Sequence, residues 1–163
     1  MNSKVKENMK SEKLISLFEE DLCLFHLRSR KKNSILEEMT EHLEKTGKIS
    51  DKEIIMKMLK NRESLGSTGL GKGVAFPHGK SLAIKELTIL FGKSNAGVDF
   101  DSLDGKPTRI FFLILAPSNR DAETYLELLS ELLKLIKQPD KLKKLHEVED
   151  FESLINFLGG NET

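Results

Sequence analysis

The chain has 163 residues, enough for one domain of ordinary size with its own hydrophobic core. Apolar residues make up 38% and charged residues 32%, the composition of a soluble globular protein rather than a disordered one. The 26 Lys and Arg balance the 26 Asp and Glu, so the chain lacks the basic excess of a dedicated nucleic-acid binder.

Residues 1–10 (MNSKVKENMK) are polar with scattered charge and read as a loose tail, leaving 11–160 as the domain. SEKLISLFEED is expected to form a short amphipathic helix with Leu14, Ile15, Leu17 and Phe18 on one side. Leu22 to Leu27 reads as a strand, and RSRKK leads into a helix from about Asn33 or Ser34 whose stop is Gly47. Ser50, with Glu53 three residues on, predicts a capping box for the next helix, which turns Ile54, Ile55, Met58 and Leu59 inward and runs to about Glu63.

A loop with Gly66, Gly69, Gly71 and Gly73 follows, then short strands at Val74–Pro77 and Leu87–Phe91, a turn at Asp104-Gly105, and a buried strand at Arg109–Ala116. Beyond Pro117 the spacing of Tyr125, Leu128, Leu129, Leu132, Leu133 and Ile136 predicts a helix over Asp121–Lys137. KLKKLHE makes a short helix after Pro139, and Asp150 caps a last one through Leu158. The expected fold is a single α/β domain with a mixed sheet flanked by helices.

Cys23 is the one cysteine, which excludes an intrachain disulfide and gives no metal-ligand spacing. No secretory h-region stands near the N-terminus, so a cytoplasmic location is expected. The longest apolar run, Ile110 to Ala116, falls far short of the about 18 residues of a membrane span, and no membrane insertion is expected.

The run Gly66-Ser67-Thr68-Gly69-Leu70-Gly71-Lys72-Gly73 nearly matches the Walker A pattern G-x4-G-K-[ST], but Gly73 supplies no hydroxyl for Mg²⁺. Its context is also inverted, since it leaves a helix and enters a strand, and IFFLILAP carries no carboxylate for a Walker B segment. Its glycines could still let backbone N–H groups converge on an anion, with Ser67 and Thr68 as hydroxyl donors and Arg62, Lys72 and Lys80 as cations. The bland alternative is a flexible helix-to-strand connection.

The loop delivers His78, held between the restricted Pro77 and the open Gly79. A neutral imidazole is nucleophilic near neutral pH, and its phosphoramidate suits onward transfer. That chemistry demands no metal and no cofactor. His26, in an apolar run, reads as structural or half-exposed, while His42 and His146 lie on charged helices and read as solvated. Cys23 lacks the phosphate-binding loop that a nucleophilic cysteine would need and reads as a buried apolar residue.

Arg62-Glu63, GSTGLGKGVAFPHGK, VDFDSLDGKP and the strand ending in LAP together resemble the enzyme IIA domains of the mannitol, fructose and nitrogen-regulatory class. These belong to the phosphoenolpyruvate-dependent phosphotransferase system, and the resemblance spans about Lys13 to Leu158. It implies a mixed sheet flanked by helices, phosphorylation of His78 on its tele nitrogen by an HPr-type phosphocarrier, and Arg62 as an electrostatic partner. It also implies onward transfer to a IIB-domain cysteine, or a regulatory role through target proteins. Two departures stand out: Tyr125 occupies the slot of a second histidine, and Lys72 replaces an asparagine, which could restore some positive charge. The absence of a fused IIB, IIC or HPr segment points towards the regulatory role, with a stand-alone fructose or mannitol IIA component as the alternative.

Overall fold

A computed structural model describes residues 11–160; the tail read at 1–10 lies outside the described residues. Residues 11–16 are helical (α1), and a 3-10 turn at Glu20–Leu22 leads into β1 (Cys23–Leu24). Helices α2 (Lys32–Lys45) and α3 (Lys52–Ser64) follow, then β2 (Gly69–Gly71), β3 (Val74–Ala75), β4 (His78–Ser81), β5 (Thr88–Val98) and β6 (Thr108–Pro117). Helices α4 (Ala122–Ile136), α5 (Pro139–Glu147) and α6 (Phe151–Leu158) complete the order.

The six strands form one mixed sheet in the order β1-β5-β6-β3-β2, with β4 pairing β6 further along the edge that β3 also uses. β5 and β6 are antiparallel, whereas β1 on β5, β3 on β6 and β4 on β6 are parallel. Side chains alternate across a strand, so β6 feeds both faces. Ile110, Phe112, Ile114 and Ala116 pack with Leu14, Phe18, Tyr125, Leu128, Leu132, Leu145 and Leu154, the layer of α1 and α4–α6. Phe111, Leu113 and Leu115 pack with Ile35, Met39, Ile55 and Leu59 of α2 and α3. Burying both faces is why the run IFFLILA is continuous rather than alternating.

Three details differ from the sequence expectations. The strand read at Leu22–Leu27 is only Cys23–Leu24; beyond it the chain follows β5 through single contacts such as Leu27 N to Lys93 O, and His26 is exposed. The cap of α3 is Asp51, not Ser50: its carboxylate accepts from Glu53 N at 3.0 Å and Ile54 N at 3.4 Å. Both residue types cap well, and a carboxylate gains further from the helix dipole. Within the helix Ile55, Met56 and Leu59 are buried, while Ile54 stands 50% exposed. The glycine loop also contains a strand, β2, and His78 lies on a strand rather than after one. Asp150 caps α6 as expected, with Ser153 completing a capping box.

No helix of the described residues is long and apolar enough to cross a membrane.

Candidate functional site

The site is set by how β2, β3 and β4 follow one another. Gly71, Lys72 and Gly73 all take positive φ (95°, 57° and 79°), which reverses the chain between β2 and β3. β3 then pairs with β6 at Val74↔Ile110, and after Phe76 and Pro77 the chain pairs again at His78↔Ile114. On this strand His78 and Lys80 face the α4 layer, and Gly79 faces α3. A Cβ on Gly79 would stand 2.8 Å from Met58 Cε, so the missing side chain leaves room for the end of the Met58 side chain between α3 and β4.

The imidazole of His78 is half-buried, and its Nδ1 lies 2.7 Å from the carbonyl oxygen of Phe76. A carbonyl can only accept, so Nδ1 carries the proton and Nε2 keeps the lone pair. The neutral ring therefore presents Nε2 as its nucleophilic atom. The ring of Tyr125 lies 6.3 Å away between centroids, tilted by 54°. Tyr125 is 5% exposed; burial pushes its phenol up to about 12, and the nearby Arg62 guanidinium works in the opposite direction. The ammonium of Lys80 sits 5.1 Å from the centroid of the same ring.

Arg62 ends α3 and donates from Nη1 to Gly66 O at 2.9 Å, which ties its guanidinium to the start of the glycine loop. The hydroxyls of Ser67 and Thr68, expected to face an anion, are directed elsewhere. Ser67 Oγ donates to Phe100 O at 2.9 Å and accepts from Gly69 N at 3.0 Å. Thr68 is buried, and its hydroxyl donates to Glu63, whose carboxylate also accepts from Thr68 N at 3.1 Å. Both hydroxyls thus brace the loop; they are not aimed at His78.

Lys72 is displaced from the site altogether. It lies in the β2–β3 turn, beyond the Ile110 end of β6, whereas His78 pairs with Ile114. Four residues of strand separate those levels by about 13 Å. Its backbone N donates to Asp104 Oδ2 at 2.9 Å, and its carbonyl accepts from His146 Nε2 at 2.8 Å. The sequence could not place it, because the hairpin that carries it away is a tertiary feature. His146, read as solvated, is thus a partner of this turn. His42 Nε2 lies 2.6 Å from Asp21 O, in place of the solvated role read for it. The Cys23 thiol is half-buried, donates to Glu19 O at 3.3 Å, and is pushed up to about 12 by burial and by the Glu20 charge.

Two contributors escaped the sequence reading. The first is the Phe76 carbonyl, a backbone atom that no motif marks. The second is the pair Lys32–Glu63, with Nζ 2.7 Å from Oε2 and the two side chains 17% and 7% exposed. Glu63 was legible only as the neighbour of Arg62. Lys32 also lies 4.9 Å from the Phe100 ring centroid, across a sequence distance that gives no signal. Among the described residues no group of three or more His, Cys, Asp and Glu is placed to hold a metal ion.

The chain is similar to known proteins along most of its length. It is 34% identical over 150 residues to the fructose-specific EIIABC component of Bacillus subtilis, covering 92% of this chain but only 24% of that protein. It is 34% identical over 128 residues to the nitrogen regulatory protein of Bradyrhizobium diazoefficiens, covering 78% of this chain and 82% of that one. The solved structure of the nitrogen regulatory protein IIA-Ntr from Neisseria meningitidis superposes with a TM-score of 0.80 at 30% identity, over 89% of this chain and 98% of that one. The family model described as "Phosphoenolpyruvate-dependent sugar phosphotransferase system, EIIA 2" matches residues 16–160. With the mixed sheet and its flanking helices in place, the chain belongs to this EIIA family of phosphocarriers.

Proposed function

We propose that His78 accepts a phosphoryl group from an HPr-type phosphocarrier, or from its nitrogen-branch relative, and that its phosphorylation state switches binding to regulatory target proteins. The observation that carries this reading is the 2.7 Å contact from His78 Nδ1 to Phe76 O, which leaves Nε2 as a half-buried nucleophile beside Tyr125. In the transfer, the Nε2 lone pair forms the new N–P bond as the donor's N–P bond breaks. The electron pair of the broken bond returns to the donor imidazole. The Nδ1 proton stays in place, and the Phe76 carbonyl accepts from it as positive charge builds in the ring. Positive groups beside an in-line displacement favour the charge on the phosphoryl oxygens, and Arg62 is held near this end of the sheet.

A phosphoryl group adds about −1.5 to −2 charges at neutral pH, which repels an acidic docking face and attracts a basic one. Similarity to the nitrogen regulatory protein, over 82% of its length, supports the switch. Similarity to the fructose-specific component supports a second reading, in which the phosphoryl group passes to a IIB-domain cysteine during sugar uptake.

Incubation with phosphoenolpyruvate, enzyme I and an HPr-type carrier tests the acceptor. An acid-labile label is expected on the wild type and absent from His78→Ala; a label that persists in the variant overturns the reading. Adding a IIB domain separates the two roles. Rapid movement of the label to IIB favours sugar uptake, and retention on His78 favours the switch.

A further inference from the structure

Phosphorylating His78 would place a near-dianion on a half-buried strand, so the cation that meets it matters. Of the three cations that the sequence puts near the glycine loop, Lys72 lies at the far end of β3, and Arg62, near Tyr125, gives one of its five N–H groups to Gly66 O. Lys80 is differently placed. It is two residues from His78 on the same strand and the same face, a spacing of about 7 Å that a lysine side chain spans. Among the described residues its ammonium makes no ion pair and no hydrogen bond; it rests 5.1 Å from the centroid of the Tyr125 ring, the ring that also faces His78.

An exposed ammonium over an aromatic face is held weakly, whereas an ammonium on a phosphoryl oxygen makes a charge-assisted bond. We propose that Lys80 is a phosphoryl-binding cation of this site, beside Arg62: once Nε2 of His78 is phosphorylated, the ammonium leaves the face of Tyr125 and pairs with the phosphoryl oxygens. Tyr125 is then the parking place of the charge in the free protein, and its ring is uncovered on phosphorylation. The inference rests on the acceptor reading above and adds to it a residue that touches the transferred group. Lys80 is exposed, so its replacement leaves the core intact.

The test loads the intact protein with potassium phosphoramidate, which needs no partner protein, and follows the phosphoryl group by ³¹P NMR as a function of pH. His78→Ala identifies the resonance that belongs to His78. In Lys80→Met the second ionisation of that phosphoryl group should move up by about half a pH unit, the effect of removing one charge at close range in a wet site. Lys80→Arg should titrate like the wild type. A Lys80→Met resonance that titrates with the wild type overturns the role of Lys80 alone. A spectrum in which His78→Ala loses no resonance overturns the acceptor reading and the inference with it.

Discussion

The Nδ1 atom of His78 lies 2.7 Å from the carbonyl oxygen of Phe76, two residues back along the same chain. This short loop of backbone fixes the tautomer before any partner arrives, because the carbonyl has no proton to give. The attachment atom follows. Phosphohistidine formed on this protein should carry phosphorus on Nε2, and long-range ¹H–¹⁵N correlations of the phosphorylated, ¹⁵N-labelled protein report which nitrogen is substituted. Substitution at Nδ1 would mean that the Phe76 contact breaks during transfer.

Tyr125 offers a clean optical probe, since the chain has one tyrosine and no tryptophan. Burial holds the phenol at about 12, above its ordinary 10.0, while Arg62 pulls it down. The phenolate absorbance of the native protein should therefore rise with a midpoint near that higher value. Arg62→Met should raise the midpoint further, because a cation favours the phenolate. The sign for folding follows directly. An unfolded tyrosine loses its proton first, so this contribution to stability is full below the ordinary value and is lost as pH rises towards about 12. A midpoint at the ordinary value would contradict the packed position of the ring.

The Glu63 carboxylate binds Lys32 at 2.7 Å and takes both polar hydrogens of Thr68. Removing it strands a mostly buried ammonium, with Asp101 at 3.7 Å as the remaining counter-charge. Glu63→Ala should cost about 3 kcal/mol of folding stability, and Thr68→Val about 1–2 kcal/mol. Chemical denaturation of the two single variants and the double variant checks this. The double variant should cost less than the sum, because both changes remove the same hydrogen bond. Full additivity would mean that Glu63 and Thr68 act independently.

Gly73 serves the turn that carries Lys72 away from the site. Its φ is +79°, and a Cβ there would meet His146 Cε1 at 2.7 Å. Gly73→Ala should lose about 2 kcal/mol, part from the left-handed backbone and part from the displaced ring. In a His146→Ala background the same change should cost only the backbone part, about 1 kcal/mol. Equal costs in both backgrounds, read from denaturation midpoints, would show that the ring yields freely.

The elements with strong periodicity were legible without coordinates. The apolar run of β6, the helix spacing from Tyr125 to Ile136 and the Asp150 cap each state their structure locally, because burial on two faces, burial on one stripe and a capping side chain leave distinct residue patterns. The cap of α3 was misread by one residue, since Ser50 and Asp51 both offer suitable oxygens and only the backbone decides between them. The short strands β2 and β4 were not legible: three or four residues rich in glycine carry too little pattern, and it is β3 and β6 that supply their hydrogen bonds.

The same division runs through the site. By itself the sequence singled out the candidate phosphoryl acceptor, His78, flanked by proline and glycine after a glycine-rich loop, and determined the kinship carried by those motifs. Tertiary structure alone decided which polar groups stand beside it. Sheet register sent Lys72 to the opposite end of β3 and set Lys80 on the face of His78, while the Glu63 carboxylate and the Phe100 carbonyl drew the hydroxyls of Thr68 and Ser67 inward. Nearness in sequence limits how far apart two residues can be, but the pairing of strands fixes the face and the level at which each side chain emerges.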